Sequence, residues 1–225
     1  SGTRGYNIEN FRDFNNAAPD MCFGFEGIPG HQAAIARGSY SVTSMGGTRG
    51  GTGFYCATVG GLWDSLLGEG RRWFNFANSD HHWHHTEGGA DFYPGEYLKT
   101  WVYAIDEDGD GMNSLNEVAN ALRSGNSWTV MGDLINVLDF SAEQDEAKVA
   151  MGGELQAARG KNVSLSISFA SPEENNGGRT VGVDHIDLIA GEITGRVKPG
   201  EPAYSVATNA TARVIATFTA DDWTE

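Results

Sequence analysis

Two short apolar runs set the terms for this chain: Met21-Cys22-Phe23-Gly24-Phe25 and Trp73-Phe74-Asn75-Phe76-Ala77. Each reads as a short strand buried within the fold. The first delivers Glu26 at its carboxyl end, and the second runs straight into Asn78-Ser79-Asp80-His81-His82-Trp83-His84-His85. Other elements are legible around them. A helix is expected over 7–15, with Asn7 as cap and Ile8, Phe11 and Phe14 on one face, and another over 62–67, closed by Gly68 and Gly70. A third strand is expected over 97–105 and a short one over 128–131. Between them Ser114 and Glu117 form a capping box, and Gly125 closes a helix over 115–124. Strands alternating with helices predict an α/β arrangement.

The periodicity changes near Glu143. Val163, Leu165, Ile167 and Phe169 alternate with Ser164, Ser166 and Ser168, the pattern of a half-exposed antiparallel strand. Segments 181–189 and 212–219 repeat it between Gly- and Pro-bearing turns. The expected organisation is therefore an α/β unit over 1–142 and a β-rich antiparallel appendage over 143–225, with too few strands to close a sandwich.

Fifteen Lys and Arg against thirty Asp and Glu give a formal charge of −15. That argues against nucleic acid, whose phosphates require a basic footprint. It suits a secreted or periplasmic protein, whose mature form carries no signal peptide. No apolar run is long enough to span a membrane. Cys22 and Cys56 are compatible with one disulfide or with two buried thiols. Many of the 31 glycines fall between Gly24 and Gly95, where they predict loops lying close to a site. Trp63, Trp73, Trp83, Trp101 and Trp128 read as core more readily than as sugar-stacking platforms.

His31, His81, His82, His84 and His85 are five of the six histidines. Imidazole is the commonest ligand for zinc and similar metals, and Asp80 adds a carboxylate at a strand end. On an extended strand residues i and i+2 share a face, so Asp80 and His82 can hold one ion, and His84 can rejoin them. His84 and His85 are also candidate proton donors by proximity. Glu26 occupies the corresponding place after the other strand, five residues before His31. In α/β folds ligands gather at the carboxyl ends of strands.

Asn78-Ser79-Asp80-His81-His82 is similar to the closing Ser-Asp-x-His element of the PHP metal-dependent phosphoesterases. Segments 25–32, 60–76 and 91–97 also look like secreted bacterial members of that group. The resemblance implies a partial, distorted β/α barrel with two or three divalent metals (zinc, manganese or iron) at its carboxyl-end face. Asp80 and His82 match the closing metal pair, Glu26 the bridging glutamate and His31 a later ligand. The family's opening His-x-His and its Thr-Asp-His element do not occur here. The resemblance therefore implies a fragment or processed subunit, completed by a second polypeptide carrying the first half of the barrel.

A separate motif runs from Asp106 to Glu117. It places Asp106, Asp108, Asp110 and Glu117 at loop positions one, three, five and twelve, with Gly111 at six and the Met112 carbonyl at seven. This is the spacing of an EF-hand calcium loop, here without a leading helix. Together these readings predict a metal-dependent hydrolase acting on a small phosphoester. The alternative is a non-enzymatic, calcium-stabilised structural or assembly protein retaining a remnant metal site.

Overall fold

In a computed structural model, residues 5–28, 48–49, 52–79, 94–95, 98–175 and 178–224 are described. In chain order they form α1 (Ile8–Ala17), β1 (Gly24–Ile28), β2 (Thr48–Arg49), β3 (Thr52–Gly53), α2 (Phe54–Ala57), α3 (Leu62–Gly68) and β4 (Phe74–Ala77). Then follow β5 (Leu98–Val102), α4 (Leu115–Ser124), β6 (Ser127–Met131), β7 (Val137–Gln144) and β8 (Ala147–Ala150). The last elements are β9 (Ser164–Ala170), β10 (His185–Ala190), a 3-10 turn η1 (Pro202–Ser205) and β11 (Arg213–Thr219). Among the described residues no helix is long and apolar enough to cross a membrane.

The β/α barrel expected from the resemblance is not formed. The described strands make five small sheets, and only β1 and β4 pair in parallel. The β2–β3, β5–β6, β8–β7–β9 and β10–β11 pairings are antiparallel. The departure is clearest after β5. A parallel crossover would return the chain along the full length of the sheet before the next strand starts. Here Val102 pairs with Ser127 and the Tyr103 amide donates to the Asn126 carbonyl at 3.0 Å, so β6 starts where β5 stopped. The intervening acidic loop carries the chain outward and α4 returns it to the same end.

Local signals still place most elements. Asn7 and Asn10 form a reciprocal capping box at α1, and Ser114 and Glu117 do so at α4. Gly125 adopts φ 77°, the left-handed conformation that closes α4. Ile8 and Phe11 pack with Leu62, Leu66 and Trp73 in the main core, flanked by Phe25, Tyr55 and Trp63. Phe14 instead stays 40 % exposed, edge-on to Tyr6. Trp101 is likewise no core residue: it is 39 % exposed and stacks on Trp128 with centroids 5.9 Å apart. Cys22 and Cys56 are free thiols. The Cys56 thiol donates to the Gly27 carbonyl at 3.0 Å, and burial pushes its pKa up to about 11.

β7 and β8 were not expected from the sequence. Leu138, Phe140 and Ala142 alternate with polar neighbours and pair with Phe169, Ile167 and Leu165 of β9. β7 also runs through position 143, where the change of periodicity suggested a boundary. Leu165, Ile167 and Phe169 face Ile186, Leu188 and Phe218 across a cleft of about 310 Å³, with Trp223 edge-on to Phe169.

The segment between β10 and β11 returns to the first half of the chain. The Thr194 amide donates to the Gly68 carbonyl at 2.8 Å, and the Asn209 amide donates to the Gly60 carbonyl at 2.9 Å. Beneath it lies a buried ionic network. Arg12 and Arg71, 2 % and 3 % exposed, both donate to Glu69, at 2.6 and 2.9 Å. Arg12 also donates to the Tyr204 carbonyl at 2.5 Å, and Arg71 to the Asn15 and Asn16 side chains. Removing the carboxylate strands two buried cations. Glu69→Ala is expected to lower unfolding free energy in urea by about 3–5 kcal/mol. Breaking the exposed Lys161–Asp145 pair with Lys161→Ala is expected to cost less than about 1 kcal/mol in the same assay.

Candidate functional site

The parallel pair places two strand ends side by side. Gly24 pairs with Phe74, Phe25 with Asn75, Glu26 with Phe76 and Ile28 with Ala77, across a register shift at Gly27. The close approach depends on Gly27, because a Cβ there would overlap the Asn75 side-chain oxygen and crowd Cys56. Ile28, Ala77 and Leu98 form a small buried cluster with Met131 against it. The carboxyl ends of β1, β4 and β6 and the amino end of β5 therefore meet at one edge. The Thr100 hydroxyl fastens β4 to β5 there, accepting from the Ala77 amide and donating to its carbonyl, each at 2.8 Å.

β1 begins later than the apolar run suggested, so Glu26 lies within the strand rather than after it. Its side chain is exposed while Gly27 and Ile28 are buried. His31, Asp80, His82, His84 and His85 lie outside the described residues, and so does the expected sharing of one ion by Asp80 and His82. The described part of that candidate site is the edge itself: Glu26, the buried Ser79, and the strand ends from which the two histidine-bearing segments depart.

One pair at this edge escaped sequence reasoning. Lys99, second residue of β5, donates to the Asp133 carboxylate just beyond β6. Their side chains are 22 % and 12 % exposed. Asp133 has φ 55° and follows Gly132 at φ 62°, the left-handed pair of a tight turn closed by the Leu134 amide on the Met131 carbonyl at 3.3 Å, a conformation aspartate adopts more readily than most residues. The available signal was a single lysine inside an otherwise uncharged strand.

The acidic loop is described throughout. Asp106 accepts the Gly109, Asp110 and Gly111 amides at 2.7, 3.2 and 2.8 Å. Asp108 accepts the Asp110 amide at 3.2 Å, and Asp110 accepts the Met112 amide at 2.8 Å. Glu117, 7 % exposed, accepts the Glu107 amide at 2.7 Å and the Ser114 amide at 2.6 Å. Gly109 and Gly111 adopt φ 72° and 83°, which supplies the sharp turn.

One oxygen from each of Asp106, Asp108 and Glu117 lies within 4.8 Å of the others. Oxygens bound to one calcium at about 2.3–2.6 Å can be at most about 5 Å apart, so this spacing fits a shared ion. An all-oxygen donor set also suits a hard cation. The structure brings together three of the five expected ligands. Asp110 stands outside that group, turned to the Met112 amide, and Met112 is 72 % exposed. Comparison with protein-family models, curated protein sequences and solved structures returned no match to this chain.

Asp106 and Glu117 titrate low for a local reason. The Gly111 amide is the main cause at Asp106, with the Gly109 and Asp110 amides adding to it. At Glu117 the Ser114 amide leads, followed by that of Glu107. Each folded-state pKa is below its unfolded value, so the stabilisation is complete above the ordinary carboxylate range. It is lost as pH falls through the lowered values. Amide exchange at Gly111 and Ser114 is expected to accelerate, relative to the α4 interior, once pH drops below about 4. Unchanged relative protection on acidification would exclude these bonds as the cause.

Proposed function

We propose that this chain carries a divalent-metal centre for phosphoester hydrolysis at the common edge of β1 and β4, with the acidic loop as a separate calcium site. The observation that carries the reading is the parallel β1–β4 pairing. It places the strand bearing Glu26 beside the strand that leads in sequence to Asp80, His82, His84 and His85. Glu26, His31, Asp80 and His82 form a mixed carboxylate–imidazole donor set, which suits zinc, manganese or iron. A metal bound there would lower the pKa of a water and polarise a phosphoryl oxygen. His84 or His85 would protonate the leaving oxygen. The phosphoester class rests on the likeness of Ser79-Asp80-His81-His82 to the PHP element. The barrel that came with that likeness forms no part of the proposal.

Elemental analysis of the purified protein is expected to find a transition metal that Asp80→Ala/His82→Ala removes without loss of fold. Metal content unchanged by that double substitution would refute the centre. Hydrolysis of an aryl phosphate, dependent on manganese or zinc and abolished in the same variant, is the expected activity once a polypeptide supplying the absent His-x-His ligands is added; this chain alone is expected to show little turnover. A metal-bearing protein still inert toward phosphoesters after that addition would restrict the proposal to binding.

The second reading, a calcium-stabilised structural or assembly protein, is favoured by the spacing of Asp106, Asp108 and Glu117. Four carboxylates crowd this turn and repel one another without a cation. Calcium is expected to raise the melting temperature by mass action, more steeply than magnesium, which demands stricter octahedral geometry. Asp106→Asn/Asp108→Asn is expected to abolish the difference. Melting curves indifferent to calcium and chelator would reduce the motif to an acidic turn before a capped helix.

A further inference from the structure

We infer that the hollow between β7 and the strands β4 and β6 is a binding site for a neutral, ring-bearing apolar molecule. Its volume is about 610 Å³, within the range of small-molecule sites. The walls come from distant parts of the chain: Trp63 of α3, Phe74 of β4, Trp128 of β6, Phe140 of β7 and Met151 just after β8.

Folded interiors ordinarily close over such space, because apolar side chains lining a void forfeit their contacts. Here each wall is held by a contact of its own. The Trp63 indole N–H donates to the Trp73 carbonyl at 2.8 Å, and that of Trp128 to the Ile135 carbonyl at 3.4 Å. Trp128 also stacks on Trp101, which does not line the hollow. The Arg72 guanidinium lies 5.7 Å from the centre of the Phe74 ring. That ring sits so close to Gly125 that a Cβ there would come within 2.3 Å of it. Phe140 is fixed by its register opposite Ile167. The space is therefore preformed, and a ligand enters it without the cost of reordering the side chains around it.

The lining selects the ligand. Charged residues make up 20 % of the chain, yet among the described residues no Asp, Glu, Lys, Arg or His lines this hollow. An ion moved into it would lose its hydration and meet no counter-charge, so the occupant is uncharged and is no phosphoester. Apart from tryptophan, the polar side chains among the lining residues are Asn75, Ser127, Thr129 and Ser141. Asn75 already donates to the Thr129 hydroxyl at 3.3 Å. A sugar carries more hydroxyls than these groups can satisfy, which argues against it despite the tryptophans. Aromatic walls favour rings packed face or edge against them, with one polar group turned to Ser127 or Thr129.

Neutral N-phenylnaphthylamine, which fluoresces when its rings leave water, is the probe. Saturable one-to-one binding is expected. Anilinonaphthalene sulfonate, the same skeleton bearing a charge, is expected to bind at least about tenfold more weakly. Ala142 lines the hollow two residues beyond Phe140 on the same strand. Ala142→Phe puts a ring into the space and is expected to weaken the probe at least about tenfold, with far-UV circular dichroism unchanged. With isotope-labelled methionine methyls, the Met151 signal is expected to shift on binding and that of the exposed Met112 to stay. If Ala142→Phe does not fold, the methyl signals decide alone. Absence of saturable binding, an unmoved Met151 signal, equal affinity for the sulfonate, or wild-type affinity in folded Ala142→Phe protein would each overturn the assignment.

Discussion

The Arg12–Glu69–Arg71 network is the interaction on which the rest of this fold leans. It joins α1, the end of α3 and the turn η1, elements separated by 57 to 192 positions in sequence. Two guanidinium groups share one carboxylate in a site from which water is almost excluded. Such an arrangement is tolerable only while every member is in place, because a single unpaired buried charge costs several kcal/mol. The backbone of segment 191–212 therefore has little freedom. Tyr204 supplies its carbonyl to Arg12 and its hydroxyl to Asp13, and the strands on either side of the segment follow from that anchoring.

A second constraint is geometric and more local. Among the described strands one parallel pair stands beside otherwise antiparallel pairings; parallel pairing is the weaker by its own hydrogen bonds, and here it is short. It persists because Phe25 and Trp73 belong to the main core, while Ile28 and Ala77 belong to the smaller cluster with Leu98. Each strand is thus held at both ends by different apolar groups. The strand ends at this edge are thereby fixed relative to one another, whereas the antiparallel sheets farther along the chain pair among themselves.

Legibility from sequence tracked the range of the determining interaction. α4 was readable to its last residue, since Ser114, Glu117 and Gly125 act within one turn of its ends. The turn chemistry of the acidic loop was equally readable, because Gly109, Gly111 and the aspartates bond to amides a few positions away. β7 was missed although Leu138, Phe140 and Ala142 alternate correctly, since Asp139 and the following acidic residues disguised its partnership with β9. The barrel failed for a longer-range reason. Strand–helix alternation is shared by parallel crossovers and by an excursion that returns to the same sheet end, and only the pairing of Val102 with Ser127 distinguishes them.

By itself the sequence determined the capped helices, the alternating strands and the two groups of potential metal ligands, all short-range matters of periodicity and side-chain chemistry. Which strands became neighbours, and in which direction, was decided in three dimensions by burial. So was the pairing of Lys99 with Asp133, 34 positions apart. A lysine in a strand has no sequence signature for its counter-charge, because the partner is chosen by whichever carboxylate the folded core delivers beside it. The same holds for Glu26. Its residue type made it a candidate ligand, and only the β1–β4 register set it beside the strand that leads to the histidines.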